Sequence, residues 1–142
     1  MDVAKVDALI QRVELFRGLN REDVVKIFSK GMTTRALKGE VIFYKGTTGG
    51  QMYVVLGGKI GVFSGEQCIA TLGTGDMFGE MALVNHEPRS ATVKAIEDSH
   101  LFVLTETTFQ TLLTKRVAVQ ILLNIVHTLS KRLRDTNARL QG

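Results

Sequence analysis

The sequence predicts a mainly β fold, a sandwich or jelly roll with helices at both ends of the chain. Short runs rich in β-branched and aromatic residues carry the prediction: Val41-Ile42-Phe43-Tyr44, Tyr53-Val54-Val55-Leu56 and Ile60-Gly61-Val62-Phe63, with glycine-bearing turns between them. Fourteen glycines against one proline suit tight reversals between short strands. Helical periodicity is confined to the two ends. A chain of 142 residues supports one hydrophobic core and is too short for two ordinary domains. Residues 1–142 are therefore read as one domain: helices over 1–31, strands over 32–105, helices over 106–142.

Val6, Leu9, Ile10, Val13, Phe16 and Leu19 recur at helical spacing, which predicts an amphipathic helix over 3–19, closed or bent at Gly18. Asn20 is placed to cap a second helix, whose short apolar face is Val24, Val25, Ile27 and Phe28 and whose end is Gly31. From Thr33 the period changes to that of strands. Gly46, Gly49, Gly50, Gly57, Gly58, Gly65, Gly73 and Gly75 fall at strand ends, where positive φ is most often needed. Gln67 to Leu72 reads as a further strand. Ala91 to Ile96 and His100 to Leu104 complete the set, and Thr105 to Thr108 can cap the helix that follows. Phe109, Leu112 and Leu113 give that helix a buried face, and Lys115 and Arg116 suit its last turn.

The final helix, about 117–140, has no breaker. Leu122, Val126, Leu129, Leu133, Thr136 and Leu140 recur at alternating steps of four and three, the seam of a left-handed coiled coil. Such a helix is roughly 36 Å long, beyond the edge of so small a domain, which favours a homodimer over packing on its own sheet.

Composition bounds the function. The net charge of +4 invites a nucleic-acid partner, with Lys131, Arg132, Arg134 and Arg139 at the far end, but a solvated helix face explains the cluster equally well. The single cysteine, Cys68, lies in an apolar run and is expected to be a buried thiol in a reducing, cytoplasmic compartment. No signal pattern or membrane-length apolar run is present, so no membrane partner is expected. His86, His100 and His127 are scattered and form no local metal cluster, and no Ser or Cys stands beside a recognisable base, so neither a metal site nor an enzyme is expected.

The stretch from Phe78 to Val93 holds the chemistry. Gly79 permits a tight entry into a short helix whose first N–H groups favour a negative charge. Arg89, directly after Pro88, offers a fork that matches phosphate oxygens. Glu80 would weaken a bare phosphate site, but a ligand that also carries a ribose 2′-hydroxyl would give this carboxylate a donor.

Phe-Gly-Glu-x-Ala-Leu, five residues, then Arg-Ser-Ala-Thr-Val resembles the phosphate-binding cassette of the cyclic-nucleotide-binding domain family, found in the catabolite activator protein and in protein kinase A regulatory subunits. Gly46, Gly49, Tyr53, Val55, Gly58, Ile60 and Val62 stand at the family's upstream spacing. The resemblance implies an eight-stranded β-roll with cassette 78–92, a cyclic nucleotide as ligand, and N-terminal helices that move when it binds. It assigns the cyclic phosphate to Arg89, the ribose to Glu80, and further contacts to Phe78, Gly79, Met81, Ala82, Ser90 and Ala91. Aligned on the catabolite activator's long helix, Thr136 and Asn137 fall where polar side chains face the adenine amino group, one from each subunit. The implied reading is a cAMP-preferring sensor domain. cGMP stays open because Ser90 suits either base. An effector protein is unidentified, and DNA is a partner only if the chain is a fragment of a transcription regulator.

Overall fold

The computed structural model describes residues 3–111 and 114–141. Leu112 and Leu113 lie outside them, as do the side chains of Val6 and Leu9. Helix α1 (Val3–Arg12) and a short 3-10 helix (Glu14–Phe16) are followed by α2 (Arg21–Lys30). Eight strands come next: β1 (Met32–Ala36), β2 (Val41–Phe43), β3 (Gln51–Gly57), β4 (Ile60–Ser64), β5 (Gln67–Leu72), β6 (Met77–Phe78), β7 (Thr92–Ala95) and β8 (Ser99–Thr105). A second 3-10 helix (Glu80–Leu83) separates β6 from β7, and α3 (Glu106–Thr111) and α4 (Lys115–Gln141) close the chain. The strands form two four-stranded antiparallel sheets, ordered β1-β8-β3-β6 and β2-β7-β4-β5. This is the mainly β roll with flanking helices that the sequence predicts.

The first sheet is buried on both faces. Tyr53, Val55, Leu101 and Val103 point between the sheets, where they meet Ile60, Val93 and Ala95 of the second. Met52, Val54, Phe102 and Leu104 point the other way, onto Leu15, Phe16, Ile27, Ile121 and Ile125 of the helical layer. Covering both faces explains why β3 reads as a continuous apolar run rather than an alternation.

The predicted helix over 3–19 breaks after Arg12. Val13 is extended, and the Glu14 amide donates to the Gly75 carbonyl at 3.3 Å. After the break Leu15 and Phe16 are both fully buried in the core. Strand β1 gives no apolar run in the sequence, because four of its five positions are exposed. Cys68 is exposed rather than buried. It sits on β5, an edge strand exposed along most of its length, so local apolarity did not translate into burial.

Lys115 and Arg116 also depart from expectation: they open α4 instead of closing α3. Thr114 caps α4, its carbonyl accepting from the Ala118 amide at 2.9 Å and its hydroxyl from the Val117 amide at 3.3 Å. A cation at a helix start is unfavourable with respect to the dipole, and Arg116 meets a carboxylate there. Its Nη1 donates to Asp23 Oδ2 at 3.0 Å. Asp23 is only 6% exposed and completes a capping box with the N-cap Asn20, whose side chain accepts from the Asp23 amide at 2.8 Å. The N-terminal helices are thus pinned to the start of α4.

The hydrogen bond from Arg116 holds the Asp23 carboxyl below its ordinary range, against the opposing effect of burial. A carboxyl with a lower pKa folded than unfolded adds stability above the unfolded value, about 3.9, and loses it as the pH falls through the folded value. Denaturant titrations of wild type and Asp23→Asn should therefore show a stability gap that is level down to about pH 5 and closes below about pH 4. A gap that persists unchanged into stronger acid would show that the pair contributes nothing through its charge.

Helix α4 packs through Val117, Ile121 and Ile125, all buried, together with Asn124 and Thr128. Asn124 Nδ2 donates to the carbonyls of Leu15 at 2.7 Å and Arg17 at 2.8 Å, and Thr128 Oγ1 donates to Glu14 at 2.9 Å. The expected seam lies on a neighbouring stripe. Leu122 and Leu129 are partly buried by the chain itself, while Val126, Leu133 and Leu140 are exposed.

Candidate functional site

The site begins where β6 ends. Gly79 adopts φ 71°, ψ 14°, the left-handed region, and starts the 3-10 helix Glu80–Leu83. A Cβ there would stand 2.8 Å from Arg89 Nη1 and 3.2 Å from the Gln51 carbonyl, so a side chain would displace the guanidinium as well as strain the backbone. Ala82 and Leu83 turn inward, and Met81 is exposed. The Ala82 amide closes the turn by donating to the Gly79 carbonyl at 3.1 Å, which leaves Glu80 and Met81 as the opening amides without an intrahelical acceptor.

The chain returns through Pro88 to Arg89, fixed by the Arg89 amide donating to Thr47 O at 2.7 Å and the Gly46 amide to Arg89 O at 2.8 Å. The guanidinium folds back over the start of the cassette. Nη2 donates to Gln51 O at 2.7 Å and Nη1 to Gly79 O at 3.2 Å, and Cζ lies 4.2 Å from the centre of the Phe43 ring. Gly49 makes room for it, since a Cβ would come within 3.0 Å of Nη2. No carboxylate lies within ion-pair distance of Arg89 among the described residues. Burial pulls Arg89 below its ordinary range, opposed by the Tyr53 phenol and the Glu80 carboxylate, yet a guanidinium remains charged near neutral pH. An unneutralised, partly desolvated cation is an anion receptor.

Glu80 is only 5% exposed. Arg132 of α4 donates from Nη1 to Glu80 Oε1 at 2.8 Å and from Nη2 to the Met77 carbonyl at 2.6 Å. Glu80 Oε2 has no partner among the described residues. Arg132, read from the sequence as part of a basic cluster that suits a nucleic-acid partner or a solvated helix face equally, is thus anchored in the site.

These groups line one cavity of about 430 Å³. Its polar wall is the cassette: Phe78, Gly79, Glu80, Met81, Ala82, Arg89, Ser90 and Ala91 all contribute. Phe43, Val62, Ala70, Leu72 and Val93 form an apolar floor, and Leu129 and Arg132 reach in from α4. The size and the apolar floor with a few convergent polar groups suit a small organic anion. Thr136 and Asn137 are not part of it. Both are exposed, and the Thr136 hydroxyl donates back along the helix to the Arg132 carbonyl at 2.9 Å. Sequence reasoning missed Phe43, Leu129 and Arg132. The signal for Arg132 was chemical: a buried cassette carboxylate demands a cation. No group of three or more His, Cys, Asp or Glu that could hold a metal occurs among the described residues, and none of the described helices is long and apolar enough to cross a membrane.

A model of the cyclic nucleotide-binding domain matches residues 33–116. The cyclic AMP receptor protein of Thermus thermophilus is 34% identical over 131 residues, covering 89% of this chain and 60% of its own length. A cAMP-dependent protein kinase regulatory subunit of Hypocrea atroviridis is 33% identical over 104 residues, 73% of this chain and 22% of that protein. The chain thus spans less than two thirds of either relative. A cyclic nucleotide-binding domain from Methylobacillus flagellatus superposes with a TM-score of 0.84 over 97% of this chain and 82% of its own, and at 23% identity that likeness concerns the fold alone.

Proposed function

The chain belongs to the cyclic nucleotide-binding domain family, and from that premise we propose that it is a sensor domain for a 3′,5′-cyclic nucleotide, with cAMP preferred, that acts by changing its helix arrangement and not by catalysis. One observation carries the reading: a guanidinium that has no carboxylate partner among the described residues and a carboxylate with one oxygen unused among them face the same cavity. Arg89 takes the cyclic phosphate, aided by the backbone N–H groups around Gly79, Met81, Ala82 and Ala91. Glu80 Oε2 accepts from the ribose 2′-hydroxyl, while Arg132 on Oε1 holds the carboxylate in orientation. A ligand that alters this contact acts on α4, which also holds Asp23 through Arg116 and the N-terminal segment through Asn124. That chain of contacts is the route by which helix positions respond. The effector that reads them, in the cytoplasm, is a separate protein or domain.

Titration calorimetry with cAMP, cGMP and linear 5′-AMP tests the reading: cAMP should bind tightest and 5′-AMP much the weakest. Failure of both cyclic nucleotides to bind would refute it. For the ribose contact, 2′-deoxy-cAMP should bind wild type roughly ten- to one-hundred-fold more weakly than cAMP, the worth of a hydrogen bond to a charged group. The same analogue should lose little further against Glu80→Gln, since both changes remove one interaction. Additive losses would assign Glu80 another role.

The base preference rests on assembly. Thr136 and Asn137 are supplied by α4 beyond the cavity, so in this proposal they meet adenine across a homodimer formed on the exposed seam. Leu133, 62% exposed, is a seam residue. Leu133→Lys should give monomers in sedimentation, and both it and Thr136→Ala should narrow the cAMP-to-cGMP affinity ratio by about tenfold, one lost hydrogen bond. A monomeric wild type, or tighter cGMP binding, would overturn the preference.

A further inference from the structure

We infer that Phe43 is a positioning residue for Arg89, holding the guanidinium by its face so that the edge donors remain available to an anion. The inference rests on the phosphate role of Arg89 given above and assigns the residue that makes that role possible.

Arg89 is not held by a carboxylate among the described residues. Its in-plane contacts are the Gln51 and Gly79 carbonyls, at 2.7 and 3.2 Å, and each occupies a donor that phosphate oxygens would also want. The Phe43 ring, 4.2 Å from Cζ, is different in kind. A cation over a ring face is attracted by the ring quadrupole and surrenders no N–H in doing so. With five donors on the guanidinium and two engaged by carbonyls, the others stay free. The ring is itself fixed. Phe43 packs against Tyr53 and Phe78 at centroid distances of 6.1 and 6.0 Å, and those two stack on each other at 4.9 Å, nearly coplanar at 9°. Phe43 is also paired in register with Val93 of β7, just beyond the cassette. A strand-held ring therefore sets the height of the guanidinium above the cavity floor, a task that an aliphatic side chain of the same apolarity cannot perform.

The test uses Phe43→Leu, and trifluorophenylalanine at the same position, which closely keeps the ring's shape and withdraws its π density. Two readouts separate this inference from the proposed function. The first is the Arg89 side-chain N–H resonance without added nucleotide, identified by its loss in Arg89→Lys. A ring below the guanidinium shields it, so Phe43→Leu should move it downfield. The second is affinity for cAMP, expected to fall roughly three- to thirtyfold in Phe43→Leu, with the fluorinated protein also weakened but folded as wild type. An Arg89 resonance that does not respond to Phe43→Leu overturns the inference, as does a fluorinated protein that binds cAMP like wild type. If wild type binds no cyclic nucleotide, the proposed function falls and the resonance alone decides. If Phe43→Leu does not fold, the fluorinated protein decides through affinity.

Discussion

Arg89→Ala should lower the affinity for cAMP by about 2–5 kcal/mol, or roughly thirty- to several-thousand-fold. The size follows from what the cation replaces: a phosphate diester brought into a cavity with an apolar floor loses its water and has no other full positive charge directed at it from the cassette. Arg89→Lys should recover only part of the loss, since an ammonium is a point charge and cannot fork between two oxygens. The expectation is checked by calorimetry on the variants. An affinity within twofold of wild type in Arg89→Ala would remove the phosphate assignment.

Arg132→Ala should destabilise the fold by about 2–3 kcal/mol, because it leaves the 5%-exposed Glu80 carboxylate without its cation and the Met77 carbonyl without its donor. Arg132 is partly exposed, so water can reach some of the freed space and the cost stays below that of a fully buried pair. Adding Glu80→Gln should restore most of the loss, since a neutral amide tolerates the site where an unpaired charge does not. Denaturant unfolding of the single and double variants measures the coupling. A coupling indistinguishable from zero would mean that the two side chains are neighbours without mutual dependence, and that α4 is not tied to the cassette through Glu80.

Arg89 and Arg132 show where sequence reading succeeds and where it stops. The positions of the cassette, the cap at Asn20, the cap at Thr105 and most strand centres are set within a few residues of one another. Asn20 and Asp23 are three apart, and the Thr105 hydroxyl accepts from the Thr108 amide, also three apart. Such features are fixed by local backbone geometry, so spacing in the chain is enough to find them. Six of the eight strands are legible because short apolar runs between turns have few other uses, whereas exposed β1 and two-residue β6 give no such run.

What escaped was decided across distance. Arg132 meets Glu80 across 52 residues, Arg116 meets Asp23 across 93, and Arg89 meets Gln51 across 38. No periodicity links such partners. A basic residue on a helix reads the same whether its surroundings are water or a buried acid, and only the packing of α4 beside Glu80 and Met77 distinguishes Arg132 from Lys131 beside it. The same holds for Cys68, whose apolar run became an exposed edge strand because nothing pairs with its outer side in the sheet order. The break after Arg12 likewise coincides with contacts made across distance: the Glu14 amide donates to Gly75 O in the turn between β5 and β6, and Leu15 and Phe16 join the core. By itself the sequence determined which residues form the cassette and that a β-roll carries it. Tertiary structure decided which cations remain free for a ligand and which are spent on the protein's own carboxylates, because desolvation and pairing depend on neighbours that the chain brings together only on folding.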